Sequence, residues 1–384
     1  MRIAVAHHSL NFAGGAERLC LAVIEALRKQ GNFVSLVTIE KTDWAFISRN
    51  FGNITHPNSE TYLTESRFSK HLSSIPVASA YFLTYIFELW NSKSNKKYDL
   101  TINTFGDVIS SLSDLTYVHF PLRAAIEFSQ IPAFTNKSMW HSVAPAYDRM
   151  TSALDRVYHG NLLTNSKFMQ AIIKQILKRN SIVVYPPVNV RDILSQSSNN
   201  RKLENLVVVV ASYTPKRHLE QVPQIAKQSK YARFVIIGKA NEYSKPTLDN
   251  LKEEIHTLHV QDKVKILTNV PYGNLLETLF KAKVYLHVMP SDHFGISVVE
   301  SMAARCVPIV HRSGGPWIDI LDEKQGEYGF SYTSPNEAAK QIDTLMTAED
   351  LRIEIGNRAL RRAEDFDKTV FMKRIVDVIE KFAD

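Results

Sequence analysis

The chain has 384 residues, which is too many for one ordinary hydrophobic core, and its 45% hydrophobic and 22% charged content is typical of a soluble protein with two domains. The 15 prolines and 14 glycines are scattered, which excludes a fibrous or disordered chain. The net charge of +7 is concentrated in residues 1–185, with 19 Lys and Arg against 13 Asp and Glu, but no nucleic-acid-binding motif accompanies it, so no nucleic-acid partner is predicted.

Location is indicated by the cysteines and by the apolar segments. Cys20 and Cys306 lie far apart in apolar surroundings, so we expect two buried thiols in a reducing compartment. The strand-like start RIAVAHH predicts no secretory leader, and we expect a cytoplasmic protein. The apolar residues 75–90 are shorter than the roughly 18 residues that span a bilayer. They fit a core helix or an interfacial one, and the latter predicts peripheral contact with the cytoplasmic face of a membrane.

Twelve short apolar runs alternate with segments of helical periodicity. Because most of the runs are continuous rather than alternating, they predict parallel strands covered by helices on both faces. Repeated βα units of this kind build doubly wound sheets. The runs are residues 3–8, 33–40, 99–105, 115–120, 161–165 and 182–187 in the first half, and 206–212, 233–238, 264–269, 284–290, 307–312 and 328–332 in the second.

The predicted fold class is therefore α/β with two Rossmann-like domains. Residues 186–203 change from a rigid Pro-Pro to a Ser/Asn-rich stretch, which is typical of an interdomain connection. The predicted domains are residues 1–186 and 187–366. Ligands of such sheets bind at the carboxyl ends of the strands, so the residues that follow strands are the candidates for function.

In the first half, two strand ends carry candidate site residues. Gly14 and Gly15 stand where a helix begins, and free amides there attract an anion such as a diphosphate; a plain tight turn is the alternative. Because the loop is not GxGxxG, a dinucleotide-dependent oxidoreductase is disfavoured. His119 ends another strand and is either a core histidine or a site residue.

In the second half, the first strand is followed by two cations. Lys216 and Arg217 precede a helix, where their charge opposes the favourable sign of the helix dipole. An anion shared between them and the helix amides would remove this conflict, so they indicate a phosphate site; two solvated side chains are the alternative. Val270 lies at a later strand end, in a loop that suits a nucleobase or has no function.

Residues 291–305, SDHFGISVVESMAAR, place two acids around a glycine turn. Asp292 lies in the predicted loop, Gly295 permits the turn, and Glu300 follows Ile296 by four residues on the same helical face. Amides at this helix start suit phosphates and the carboxylate of Glu300 suits vicinal hydroxyls, while Asp292 reaches another part of the same ligand. A capping Asp and a solvated Glu are the alternative.

Taken together, the motifs resemble GT-B glycosyltransferases of family GT4. The resemblance rests on GGAER (14–18), NSKF (165–168), TPKR (214–217), residues 292–310 and SGGP (313–316). An acid, seven residues and a Glu form the hallmark of that family, and Asp292 and Glu300 have this spacing. More narrowly, YVHFP, VVYPPV, HFGISVVE and HRSGGPWIDIL resemble the eukaryotic mannosyltransferases that extend a lipid-linked oligosaccharide from GDP-mannose.

The resemblance implies a GT-B architecture, with two Rossmann-like domains facing across a cleft. It implies that residues 1–186, joined by a C-terminal helix 367–384 that crosses back, bind a glycan or lipid-linked acceptor, and that residues 187–366 bind a nucleotide-sugar, with GDP-mannose favoured. It also implies retention of anomeric configuration and no metal or other cofactor, and no Asp-x-Asp metal motif follows a strand. The implied catalytic residues are His119, Asp292 and Lys216, and the implied donor-binding residues are Gly15, Arg217, Val270, His293, Phe294, Gly295, Ile296, Ser297 and Glu300.

The resemblance also assigns roles. Glu300 is expected to bind the ribose hydroxyls, Asp292 the hydroxyls of the transferred sugar, and Lys216 the diphosphate, with His119 beside the anomeric centre. Asp292 stands where the family usually has the longer Glu. The alternatives are a GT4 transferase that uses a UDP-sugar for a cell-surface polysaccharide, a GT-B sugar-nucleotide epimerase and a non-catalytic binder.

Overall fold

The computed structural model describes residues 1–65, 97–106, 113–121, 149, 160–196 and 205–383. It separates into two compact units: unit 1 comprises Met1–Pro187 and Lys368–Asp384, and unit 2 comprises Val188–Asp367. Each unit contains one parallel sheet with helices, so the predicted α/β class with two Rossmann-like sheets is confirmed. Residues 75–90, predicted to form a core or an interfacial helix, lie outside the described residues.

Unit 1 is built on a seven-stranded parallel sheet. Its strands are β1 (Arg2–Ala6), β2 (Phe33–Glu40), β3 (Ser59–Thr64), β4 (Leu100–Asn103), β5 (Leu115–Val118), β6 (Asn161–Thr164) and β7 (Ser181–Val183). Their order is β3-β2-β1-β4-β5-β6-β7, with every pair parallel. The direction of winding reverses between β1 and β4, which is where doubly wound sheets bind ligands.

Unit 2 has a six-stranded parallel sheet of the same design. Its strands are β8 (Leu206–Val210), β9 (Arg233–Gly238), β10 (Val264–Thr268), β11 (Val284–His287), β12 (Val307–His311) and β13 (Phe330–Tyr332). Their order is β10-β9-β8-β11-β12-β13. The winding reverses between β8 and β11, so the loops that follow these two strands lie beside one another.

Helices cover the two sheets. In the described part of unit 1 they are α1 (Gly15–Lys29), α2 (Trp44–Phe51), α3 (Lys167–Leu177) and α11 (Lys368–Ala383). In unit 2 they are α4 (Val190–Gln196), α5 (Gln221–Gln228), α6 (Lys245–Thr257), α7 (Tyr272–Lys281), α8 (Ile296–Ala303), α9 (Pro335–Thr347) and α10 (Glu349–Ala363). Among the described residues, no helix is long and apolar enough to cross a bilayer.

The twelve predicted runs all coincide with strands, and one strand was missed. β3 reads SETYLT and forms the edge of its sheet, so only one of its sides needs a strand partner. Its Ser59 is exposed and Tyr62 is half-buried, so no continuous apolar run marks it.

The C-terminal helix α11 belongs to unit 1, where its Phe371 and Ile375 join the core beneath α1. Cys20 and Cys306 are both buried free thiols, as predicted.

Candidate active site

The reversal point of the unit 2 sheet brings the predicted cations next to the loop acid. After β8, Lys216 and Arg217 lie in a 3-10 turn, Pro215–Arg217, four residues ahead of α5. Arg217 Nη1 lies 3.7 Å from Asp292 Oδ2, and Lys216 is exposed on the same turn. Arg217 thus lies beside an acid rather than at a helix start, and an anion bound at this turn would face two positive side chains.

Asp292 is held in its ionised form. Its Oδ2 lies 2.9 Å from His287 Nε2, and its Oδ1 accepts a hydrogen bond of 2.8 Å from the backbone N–H of His293. Burial acts to raise the pKa of Asp292, but the hydrogen bond from His287 and the nearby charges of His287, Arg217 and His293 outweigh it and hold the pKa well below its usual range. A carboxylate in this state offers only hydrogen-bond acceptors, as sugar hydroxyls require.

His293 has the opposite character. Burial lowers the pKa of this imidazole, and the charges of Arg217 and Lys216 lower it further, although Asp292 acts to raise it. The ring is therefore neutral near pH 7. It adds a polar but uncharged group to the loop that carries Asp292.

The loop of Asp292 is shaped by two glycines on the next strand end. A Cβ on Gly314 would lie 2.5 Å from the carbonyl oxygen of Asp292, and one on Gly315 would lie 2.4 Å from the carbonyl oxygen of His293. The N–H of Gly315 donates to the Asp292 carbonyl at 2.8 Å. The loop of Gly314 and Gly315 therefore packs directly against the backbone of the Asp292 loop. This close packing accounts for both glycines without a bound ligand.

Helix α8 begins directly after this loop. Gly295 has φ +96°, a left-handed conformation that favours glycine, and a Cβ there would lie 3.0 Å from Pro316. Phe294 is buried with its ring edge-on to Phe366, so its side chain fixes the loop to the core and only its backbone can face a ligand. Ile296 is half-buried in the first turn of α8. In the same turn, the hydroxyl of Tyr285 donates to Ser297 Oγ at 2.7 Å.

Glu300 projects from the second turn of α8 and is 6% exposed. The hydroxyl of Tyr272 donates to its Oε1 at 3.0 Å. Tyr272 is the first residue of α7 and follows Val270, which is half-buried in the loop after β10. The structure thereby joins the predicted nucleobase loop to the predicted ribose acid.

Unit 1 gathers a second polar cluster where its own sheet reverses. His119 follows β5, is half-buried, and donates from Nε2 to the carbonyl of Thr104 after β4 at 3.0 Å. His7 and His8 follow β1, with ring centroids 4.8 Å apart. Gly15 opens α1 in the same region, but the N–H of Gly14 already donates to Glu17 Oε2 at 2.6 Å, so one of the amides expected for a diphosphate is occupied.

The two histidines after β1 differ in charge. Burial acts to lower the pKa of His7, but Cys20 and Glu17 outweigh it and raise the pKa to about 9. Burial, together with His7 and His119, holds the pKa of His8 well below its usual range.

Of the predicted site residues, only Gly15 and His119 belong to unit 1; the other ten lie on three strand ends of unit 2.

Sequence reasoning missed three partners of these residues. His287, Tyr272 and Glu17 contact the predicted residues but were not assigned to a site. His287 could have been found by the criterion that selected His119, a histidine at the end of an apolar strand. Tyr272 and Glu17 carry no such signal, because their contacts depend on how a helix start packs.

A carboxylate beside a cationic turn, at the carboxyl ends of a doubly wound sheet, is typical of enzymes that bind a phosphorylated sugar donor. In agreement with this class, residues 190–362 match the family model described as glycosyl transferases group 1. These findings confirm the predicted family and enzyme class: the chain is a glycosyltransferase with the GT-B fold, and unit 2 is its group 1 domain.

Similar proteins are found both by sequence and by fold. A protein of Neurospora crassa named GDP-Man:Man(3)GlcNAc(2)-PP-Dol alpha-1,2-mannosyltransferase is 26% identical over 445 residues, covering 98% of this chain and 79% of the relative. The Homo sapiens protein of the same name is 25% identical, covering 99% and 87%. Anabaena Alr3699/HepE, solved in complex with UDP and glucose, has the same fold, with a TM-score of 0.71, 16% identity and 99% coverage of each chain.

Proposed function

We propose that this chain transfers mannose from GDP-mannose, with retention of anomeric configuration, to a lipid-linked oligosaccharide. The observation that carries the proposal is the ionised Asp292, held between His287 and Arg217 in a group 1 glycosyl transferase domain. The relatives from Neurospora crassa and Homo sapiens, whose names specify GDP-mannose and a dolichol-linked acceptor, support the choice of donor and acceptor.

In this proposal the donor lies along the strand ends of unit 2. Glu300 accepts hydrogen bonds from the ribose hydroxyls, with Tyr272 fixing one of its oxygens. Asp292 accepts from the hydroxyls of mannose. Lys216 and Arg217 face the diphosphate, together with the amides at the start of α8, which carry the positive end of the helix dipole.

The chemistry follows from these charges. The bond between the anomeric carbon and the diphosphate oxygen breaks, and the leaving GDP takes the electron pair. Lys216 and the α8 amides stabilise the growing negative charge, and the acceptor hydroxyl gives its proton to the released diphosphate as its oxygen bonds to the anomeric carbon. Since the cations come from the protein, the proposed transfer needs no metal ion.

We also propose that the protein makes peripheral contact with the cytoplasmic face of a membrane. The basic excess of residues 1–185 suits anionic headgroups, and a lipid-linked acceptor is held at a membrane surface. Flotation with anionic vesicles tests this. We expect binding at low salt that is lost at high salt, whereas no binding at low salt would contradict the proposal.

The transfer itself is tested with purified protein and a synthetic lipid-linked oligosaccharide acceptor. GDP-mannose, UDP-glucose and UDP-N-acetylglucosamine are compared in the presence of a chelator. We expect transfer from GDP-mannose alone, and a product that an α-mannosidase cleaves. Transfer from a UDP-sugar, interconversion of the donor sugar without transfer, or binding without turnover would each contradict the proposal.

A further inference from the structure

The polar cluster after β1 is not used by the proposed sugar transfer. Its members are His7, His8 and Glu17, and the first and last of these are buried. Among the described residues, these three form the one group of His, Cys, Asp and Glu side chains whose ligand atoms lie close enough together, within 4.8 Å of one another, that they could hold a metal ion. Two imidazoles and a carboxylate are donors that suit Zn²⁺ and other first-row divalent ions.

Hydrogen bonding fixes which nitrogen of His7 faces the cluster. The Thr104 hydroxyl donates its only proton to the carbonyl of Ala6 at 3.0 Å, since a carbonyl only accepts. His7 Nδ1, which lies 2.9 Å from the same hydroxyl, must therefore be the donor in that contact. Its Nε2 points at Glu17 Oε1, and this pair needs a cation between its atoms. In the metal-free chain that cation is a second proton, in keeping with the raised pKa of His7, and a bound metal ion would displace it.

The distances favour a metal ion. His7 Nε2 lies 3.5 Å from Glu17 Oε1, whereas a charge-assisted N–H···O bond spans about 2.7–2.9 Å. Two ligands of one tetrahedral zinc ion, each about 2.0–2.2 Å from the metal, lie about 3.3–3.6 Å apart. His8 Nε2 approaches the same oxygen at 3.9 Å, so two imidazoles converge on one carboxylate oxygen.

The surroundings also resemble the outer shell of a metal site. A ligating imidazole usually donates its other N–H to an oxygen, and a ligating carboxylate is itself hydrogen-bonded. His7 donates to Thr104, and the second oxygen of Glu17 accepts from Gly14 at 2.6 Å. Each of these two ligands is thus oriented by an atom outside the cluster.

We propose that His7, His8 and Glu17 bind one divalent transition-metal ion, Zn²⁺ or a close analogue, in unit 1. The three protein ligands leave a fourth position for water. All three ligands belong to unit 1, and the proposed transfer uses none of them.

The test is isothermal titration of the metal-free, full-length chain with Zn²⁺ alone, followed by the visible spectrum of the Co²⁺ form. The main variant is His8→Phe, because its ring can keep the contacts of His8 with Phe105 and Phe12 while the ligand nitrogen is lost. Glu17→Gln is the second variant. His256→Phe is the matched control, since His256 and His259 form an exposed histidine pair with centroids 6.4 Å apart on and just beyond α6.

We expect one Zn²⁺ per chain, an affinity at least about 10-fold weaker in His8→Phe and Glu17→Gln, and no change in His256→Phe. The Co²⁺ absorption bands should likewise weaken only in the first two variants. If Glu17→Gln fails to fold, His8→Phe decides alone. The proposal is overturned if the chain binds no Zn²⁺, if His8→Phe binds it as the parent does, or if His256→Phe abolishes binding.

Discussion

The two units place polar side chains at the same point of the same kind of sheet but hold them in different ways. In unit 2, Asp292 has ionic partners in His287 and Arg217, and Glu300 has a hydroxyl partner in Tyr272. In unit 1, Glu17 is engaged through both oxygens, by the Gly14 amide and by two imidazoles.

This difference shows what the common topology does and does not determine. The reversal of strand order brings loops together in both units, but the residues in those loops decide the chemistry. In unit 2 they form an open set of acceptors and cations, which suits a sugar diphosphate. In unit 1 they place two imidazole nitrogens, which can act as metal ligands, around one carboxylate oxygen, and this set suits a small cation.

The largest effect is expected from the unit 1 residue that the family resemblance assigns to the reacting centre. His119→Ala should lower kcat about 100-fold while changing the affinity for GDP-mannose less than about threefold, because the resemblance implies that the imidazole lies beside the anomeric centre. Steady-state kinetics and calorimetry measure the two quantities. His56→Ala, at an exposed histidine of the same unit, is the control. A loss of donor affinity as large as the loss of kcat would place His119 with the donor-binding residues instead.

Asp292→Asn should lower kcat/KM about 10- to 100-fold, because an acceptor-only group is lost at the sugar. It should also change the pH dependence of stability. Since the pKa of Asp292 in the folded chain is below its unfolded value of about 3.9, its stabilising contribution is complete above that pH and is lost as the pH falls.

The melting temperature of Asp292→Asn should therefore fall less steeply than that of the parent below about pH 4. Thermal melts between about pH 6 and pH 2.5 measure this difference. Parallel curves for the two proteins would show that Asp292 is not held ionised by His287 and Arg217.

Gly315→Ala tests the support of the Asp292 loop. The added Cβ would meet the His293 carbonyl at 2.4 Å, so the free energy of unfolding should fall by about 1–3 kcal/mol and the affinity for the donor should weaken. Gly273→Ala in α7, where an added Cβ meets nothing within 4 Å, should cost nothing. Chemical denaturation compares the two, and equal stabilities would contradict the close approach.

Tyr272→Phe should have the smallest effect. It removes one hydrogen bond to Glu300 and keeps the ring, so kcat/KM should fall about 10-fold or less, through KM. Tyr243→Phe, at an exposed tyrosine of the same unit, is the control. A loss larger than that of Asp292→Asn would give Tyr272 a direct role at the reacting sugar.

The sequence predicts most of the sheet and the unit 2 site, because both depend on local patterns. Continuous apolar runs mark buried parallel strands, and the spacing of Asp292 and Glu300 spans one loop and one helix start. β3 escapes this reasoning because an edge strand needs no apolar run.

The cluster of unit 1 could not be predicted in the same way. His7 contacts Thr104, which is 97 residues away, and Glu17, which is ten residues away across a turn. The pairing of β1 with β4 brings Thr104 to His7, and no local spacing encodes that pairing. The approach of Glu17 depends on how α1 packs after the turn. Tyr272 is hidden for a related reason, because the packing of one helix start against another helix creates its contact with Glu300. His287 ends the strand directly before Asp292 and does carry a local signal.

The central claim is that the carboxylates of unit 2 hold a GDP-mannose donor. Its most direct test is isothermal titration of GDP-mannose into the parent chain and into Glu300→Ala, with Glu327→Ala, an acid of the same unit outside the proposed donor site, as the control. The account predicts an affinity about 10- to 100-fold weaker in Glu300→Ala and unchanged in the control. Equal affinities in the parent and Glu300→Ala would contradict it.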